Sequence, residues 1–227
     1  MAMKWHDLLF AHWSVPPEAL RGLIPKGLEL DTFEGKAWLG VVPFHMSGVR
    51  LRFLPPLPGT GAFPEINVRT YVRAGDRAGV WFFSLDAESW LAVRAARAWF
   101  RLPYFDARFE RKTQPSGKVS YRSHRTHRGA APAVFEAEYE PAGDPFLARE
   151  GTIEHWLTER YALFTERADG SIGIGHIDHE PWPLQSARAQ IRVNNMTGWL
   201  GISLPGQPAY LHFARELSVV GWAVKPV

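Results

Sequence analysis

Apolar and polar positions alternate along most of this chain, and each change of period marks an element. From Trp5 to Trp13, Leu8, Phe10 and His12 alternate with Leu9, Ala11 and Trp13, which is the two-residue period of a strand. Val15 to Pro25 then reads as a short helix, with prolines at its start and Pro25 after its end. Leu28 to Phe33 and Lys36 to Phe44 flank Glu34-Gly35 as a hairpin, and Pro43, which has no amide to donate, predicts an edge or a bulge near His45. The run Phe63 to Val72 places Ile66, Val68, Thr70 and Val72 on one face and Phe63, Glu65, Asn67, Arg69 and Tyr71 on the other. After the turn-like Ala74 to Gly79, Val80 to Asp86 is apolar on both faces through Leu85, as a strand covered on both sides should be. The short connection makes the two strands hairpin neighbours. The Glu65, Asn67 and Arg69 row would then stand beside aromatic rings, Trp81 or Phe83, and a polar row beside an aromatic strand is the lining of a pocket.

Asp86 is the expected N-cap of a helix over Ala87 to Phe100, closed by Leu102-Pro103. Arg94, Arg97 and Arg101 make a helical stripe that is either its solvent face or, with Arg94 or Arg97 turned inward, a partner for Glu65 or an anionic ligand. Further strands follow at Tyr104 to Lys112 and Lys118 to His127, around the turn Gln114 to Gly117, and at Ala133 to Tyr139. Thr152 to Thr158 reads as a short helix, Ala168-Asp169-Gly170 as a turn into Ser171 to Ile177, and Arg188 to Val193 and Tyr210 to Val224 as extended. Short strands outnumber helices. The expectation is an α+β fold dominated by antiparallel sheet, probed most simply as a closed barrel with a few flanking helices.

At 227 residues the chain is long enough for a sizeable core, and with no linker, charge block or repeat it reads as a single domain over residues 1–227. The absence of cysteine excludes disulfides, thiol catalysis and thiolate metal sites. The net charge of +3 is modest and does not by itself indicate a nucleic-acid partner. With no apolar span and no signal-like N-terminal segment, a cytoplasmic protein with no membrane partner is expected; a homo-oligomer is compatible with the composition.

Several constellations carry less than their residues suggest. His176, Asp178 and His179 offer two imidazoles and a carboxylate, but His176 and Asp178 share a strand face that His179 does not, and no zinc-type spacing is present; no metal or cofactor is expected. No serine sits in a Gly-x-Ser-x-Gly elbow, and Gly173-Ile174-Gly175 lacks the helix that a dinucleotide fingerprint requires. Residues 118–128 are the most basic stretch, yet Arg122 and His124 fall on one face and Arg125 and His127 on the other. Trp182 reads as a core or interface anchor.

The segments His12 to Leu20, Gly27 to Trp38, Phe63 to Val72 and His179 to Leu184 together resemble the YqjF-like bacterial family, allied in fold to acetoacetate decarboxylase. The resemblance covers almost the whole chain and implies a barrel enclosing a small-molecule cavity. In acetoacetate decarboxylase a lysine just after the helix forms a Schiff base with the keto acid. The matching stretch is Leu102-Pro103-Tyr104-Phe105, with a phenol and a benzyl group where the relative has lysines, so Schiff-base decarboxylation is not expected. The carboxylate ahead of the helix does match, at Glu65.

Three classes of function follow. One is a cavity that binds a small carbonyl or carboxylate ligand through Asn67, Arg69, Trp81, Phe83 and Arg97. Another is a non-covalent enzyme of lyase or isomerase type, with Glu65 and Tyr104 as catalytic groups and Arg69 holding a carboxylate. The last is weak nucleic-acid association through the basic strand. Glu65 and Arg69 are expected to interact along their shared face, either as a structural ion pair or as a pair that Arg69 keeps ionised until a ligand withdraws it.

Overall fold

The computed structural model describes residues 1–50, 61–89, 93, 94, 97, 101–204 and 206–227. Its strands are β1 (Ala2–Val15), β2 (Glu29–Leu30), β3 (Ala37–Arg50), β4 (Ala62–Ala74), β5 (Arg77–Ala87), β6 (Tyr104–Thr113), β7 (Val119–Arg125), β8 (Val134–Phe146), β9 (Ala162–Glu166), β10 (Ile172–Asp178), β11 (Leu184–Asn194), β12 (Tyr210–Gly221) and β13 (Lys225–Pro226). The short helices α1 (Pro17–Arg21) and α2 (Ile153–Thr158) accompany them, the second capped by the Thr152 hydroxyl.

Pairing runs β4–β5–β6–β7–β8–β11–β12–β1–β3 and returns to β4, so the sheet closes on itself. A second route, β5–β9–β10–β12, leaves and rejoins the same wall, so β12, β1, β3, β4 and β5 are shared by two rings. Every pairing is antiparallel except β5 with β6 and β5 with β9. The expected α+β, mainly antiparallel architecture is therefore present.

Because successive side chains point to opposite faces, the shared wall has two characters. Leu9, Leu39, Val41, Ile66, Val68 and Phe213 turn into one ring, where Tyr121, Phe135 and Tyr139 complete a buried core. Complete burial of such a side chain is worth about 1.5–3 kcal/mol. Phe10, Val42 and Phe44 turn the other way, towards Trp182, and Trp38 and Tyr71 pack on Leu157 of α2.

Several expectations change in detail. The Glu34-Gly35 turn forms, with φ of 50° and 74°, but closes only the Phe33–Lys36 bridge, because β2 pairs with β4 instead of β3. Pro43 does lie at a break in the β1–β3 ladder, between His6–His45 and Ala11–Val41, and Asp7 takes up the bulge with φ of 49°. Asp86 is not a helix N-cap: it belongs to β5, opposite Ile66, and the Val93 amide bonds the Ser89 carbonyl at 2.9 Å, so the helical turn begins later. Val93, Arg94 and Arg97 are helical; the other residues of the stretch expected to be helical between 90 and 100, and the Pro-rich segment 54–59, lie outside the described residues. Among the described residues no helix is long and apolar enough to cross a membrane.

Candidate functional site

The polar row predicted on β4 exists, and it is buried: Glu65 is 2% and Asn67 5% exposed. A bulge in the β4–β5 ladder decides what lies beside it. Val68 pairs with Ser84 but Arg69 with Phe82, so Phe83 is an extra residue and the register of β5 changes there. On β5, Glu65 and Asn67 consequently face Ala87 and Leu85, and the aromatic ring opposite the row is Phe82, beside Arg69. Phe83 packs with Ile66 and Val68 in the opposite core, and Trp81, opposite Thr70, packs against that core too. Trp81 and Phe83 are thus on the far side of the wall from the row they were expected to line.

Glu65 meets Tyr104 at the start of β6. The Tyr104 hydroxyl donates to Glu65 Oε2 at 2.9 Å. Burial pushes the Glu65 carboxyl up to about 8, against the pull of the Tyr104 bond and with a smaller push from Asp86. Tyr104 is itself driven well above the usual phenol range by burial and by Glu65. At neutral pH this is a neutral acid against a neutral phenol. Behind it, the Tyr121 hydroxyl donates its one proton to the Glu65 carbonyl at 2.7 Å, with the Phe44 carbonyl at 3.2 Å sharing it, which fixes the backbone that carries the acid.

Arg69 does not pair with Glu65. Four residues of strand put their backbones about 13 Å apart, with Asn67 between them, and the Arg69 guanidinium goes the other way. It lies 5.4 Å from the Phe10 ring and 5.9 Å from the Tyr71 ring and reaches the Leu157 carbonyl at 3.5 Å. Among the described residues it meets no carboxylate, and its Nε has no partner. A Cβ on Gly40, which faces Arg69 across β3, would lie 3.1 Å from His12 Nε2 and 3.3 Å from Arg69 Cγ, so the bare backbone lets these side chains close.

His12 and Tyr71 belong to the site although only Tyr71 was placed on the row. His12 Nε2 and the Tyr71 oxygen are 2.7 Å apart, and Tyr71 donates its single proton to the Leu157 carbonyl at 2.8 Å. His12 Nε2 must then carry the hydrogen of that contact, leaving Nδ1 as an acceptor with no partner. Burial, then Arg69 and His212, hold the imidazole neutral, well below its ordinary value. His12 was not among the expected site residues; the one signal for it is a polar residue within the apolar run Leu8 to Trp13, and its partner is 59 positions away.

Unpaired buried polar atoms recur on this side of the wall: Asn67 Oδ1, Arg69 Nε, His12 Nδ1, His212 Nδ1, Trp182 Nε1 and His179 Nε2. Buried polar groups are normally bonded, and each left unmet costs about 1–3 kcal/mol.

Other candidates fall elsewhere. Arg97 is exposed and ties the helical turn to β6, donating to the Tyr104 carbonyl at 2.8 Å and lying 3.1 Å from His127 Nε2. Arg94 pairs with Asp106. In the basic strand Arg125 is buried and forms a two-pronged ion pair with Asp86, at 2.7 and 2.8 Å, while Arg122 and His127 sit near carboxylates. That pair was missed because Asp86 had been read as a cap. His176 and Asp178 are exposed and His179 is buried. Lys4, Lys26, Lys36, Lys112 and Lys225 are exposed, and Lys118 is paired with Glu138.

The closed double ring is the fold of the acetoacetate decarboxylases. The enzyme from Legionella pneumophila superposes with a TM-score of 0.62 at 13% identity, over 100% of this chain and 88% of that one. The enduracididine biosynthesis enzyme MppR complexed with pyruvate gives 0.61 at 12% identity, over 99% and 89%. Within that fold the chain belongs to the DUF2071 family, uncharacterized conserved proteins, whose pattern matches residues 2–218. It is 43% identical over 226 residues to the uncharacterized protein YqjF of Bacillus subtilis, covering 99% of this chain and 91% of that one.

Proposed function

We propose that the protein binds a small carboxylate- or carbonyl-bearing molecule on the Glu65 side of the shared wall, without forming a Schiff base. The observation that carries this reading is a row with a buried acid at one end and, at the other, a half-buried guanidinium that meets no carboxylate among the described residues. Arg69 holds the ligand carboxylate through its planar fork, Asn67 contributes its side-chain amide, and Glu65 with Tyr104 meets a carbonyl oxygen. The pyruvate complex of a protein with the same fold is consistent with a ligand of this class. Tyr104 and Phe105 cannot form an imine, and no lysine is buried, which supports a non-covalent mode.

A second reading adds catalysis. Glu65, at about 8, keeps its proton at neutral pH, the state a general acid needs, so a lyase or isomerase reaction through Glu65 is open to this geometry. Nucleic-acid association has less support, since the basic strand is divided and partly neutralised.

The test is calorimetric titration with pyruvate and with neutral acetone, together with borohydride trapping. Binding of pyruvate that weakens at least tenfold in Arg69→Met, with no trapped adduct, is expected. Equal binding of pyruvate by Arg69→Met, or a stoichiometric lysine adduct, would sink the proposal.

A further inference from the structure

The shared wall carries a second group of polar side chains, on the face opposite Glu65. Along the continuous β3–β4 ladder Phe44 and Met46 lie beside Glu65 and Phe63, so His45 and Ser47 point the other way. His6 on β1 pairs with His45 on one side and with Glu216 of β12 on the other, and Lys4 pairs with Ser47. The residues between them, Trp5, Met46 and Leu217, pack in the apolar cluster on the reverse, which fixes the three strands that carry the polar set.

Three of these side chains are joined in a line. His6 Nε2 lies 2.6 Å from Ser47 Oγ, and His6 Nδ1 lies 3.2 Å from Glu216 Oε2. A carboxylate only accepts, so in the neutral ring Nδ1 carries the hydrogen, Nε2 is the bare acceptor and the Ser47 hydroxyl donates to it. Lys4 grips the other Glu216 oxygen at 2.6 Å, and that bond holds the carboxyl below its usual range, so Glu216 stays charged and aims the imidazole. The neighbouring groups do not compete for it. Burial, then Arg111 and His6, push His45 down to about 4, and Asp7 is closed on Arg111 and Arg215. The line is open to solvent: the His6 side chain is 24% exposed and Ser47 is half-buried.

We propose that Ser47 is a nucleophile, His6 its general base and Glu216 the residue that positions the base, and that this site transfers acyl groups from small esters reaching it from solvent. The sequence carries no nucleophile elbow, but such a triad is recognised by geometry and roles and recurs on unrelated folds. Ser47 Oγ bonds to the ester carbonyl carbon while its proton passes to His6 Nε2; collapse of the intermediate breaks the bond to the alcohol, which leaves with that proton. Water then attacks the acyl-serine in the same way, giving a proton to His6, and the acid departs as that proton returns to Ser47. Next to the serine, Gly48 turns the chain with φ of 61° and Arg50 folds back to donate to the Gly48 carbonyl at 3.1 Å. An exposed guanidinium is thereby kept beside the nucleophile for the developing oxyanion.

The experiment treats the wild-type protein with a fluorophosphonate, locates the adduct by peptide mass spectrometry, and follows the hydrolysis of p-nitrophenyl acetate and butyrate. The expected result is a stoichiometric adduct on Ser47, and turnover that falls about a hundredfold or more in Ser47→Ala and in His6→Gln. Glu216→Gln should lower kcat about tenfold or more at unchanged KM, and Glu216→Asp should recover part of the loss, a split that a purely structural carboxylate would not give. No adduct, an adduct at another residue, ester hydrolysis that persists in Ser47→Ala, or an unchanged kcat in Glu216→Gln overturns the proposal. Because the labelling uses the unaltered protein, a folding defect in a variant cannot stand in for a missing nucleophile.

Discussion

Arg125 and Arg69 occupy regions on either side of the β4–β5 pair, and they differ in whether their charge is committed. Arg125 is closed in with Asp86 through two bonds of 2.7 and 2.8 Å, lies 4.1 Å from the Phe105 ring, and has a side chain only 2% exposed. Arg69 is half-buried, rests on aromatic rings and meets no carboxylate among the described residues. In the packed ring Tyr121 and Tyr139 donate to backbone carbonyls, although Trp13 Nε1, Arg111 Nε and the hydroxyls of Ser84 and Ser123 stay unpartnered. On the other side the unpartnered atoms include Asn67 Oδ1, Arg69 Nε and the Nδ1 atoms of His12 and His212. What separates the two faces is therefore the pairing of the arginine, closed on Asp86 in one and without a carboxylate among the described residues in the other.

The most severe break should come from the committed side. Arg125→Met strands the Asp86 carboxylate in a buried site and should cost about 3–5 kcal/mol, measured as a drop in urea-denaturation stability. Removing both charges together, with Asp86→Asn added, should recover part of that loss; if the single variant costs under about 1 kcal/mol, the pair is not structural in the sense argued here.

Glu65→Gln tests the open side through pH. The Glu65 value in the folded protein, about 8, lies above its ordinary 4.5, so the protonated form stabilises the fold fully below about pH 4.5. That contribution is lost as pH rises to about 8, because the unfolded chain gives up its proton first. The Gln variant cannot lose a proton, so its stability should stay level over this window and exceed the wild type at pH 8 by something on the order of 4 kcal/mol. Parallel stability-against-pH curves for the two proteins would refute the buried neutral acid.

Arg69→Met sharpens the comparison most directly. It should change stability by less than about 1 kcal/mol, since no ion pair is broken, while the anionic ligand loses at least tenfold in affinity. Smaller still is the effect of Tyr104→Phe. The Tyr104 bond pulls the Glu65 value down, so its removal should move the Glu65 midpoint above 8, as read by a carboxyl infrared or ¹³C titration. Arg122→Ala, at an exposed residue 3.8 Å from its carboxylates, should stay within about 0.5 kcal/mol of wild type.

The strands and their turns were legible because they depend on neighbours in sequence. Asp169-Gly170 turns the chain between β9 and β10, and Gly117, with φ of 87°, turns it between β6 and β7. The facing of Glu65, Asn67 and Arg69 followed from period two alone. What β5 offers to that face did not, because a single extra residue at Phe83 shifts the register, and the period of Val80 to Leu85, apolar on both faces but for Ser84, does not mark where. The partners of Arg69, Asp86 and His12 were equally hidden. Each lies across the closed rings, where pairing depends on how strands far apart in sequence are brought side by side.

That closure also governs how the chain comes together in time. Lys4 is paired with Ser218 and Trp5 with Leu217, so the strand made first has for a neighbour one of the last to be made. At ribosomal rates of about 5–20 residues per second, one edge of β1 waits roughly ten to forty seconds for β12, with Leu9 and Phe10 still short of their final cover. Pairings of such long reach also predict slow folding from denaturant. The vulnerable interval for this protein is therefore its synthesis, and a chaperone that shields β1 until β12 arrives should raise the yield of native chain more than any that acts after release.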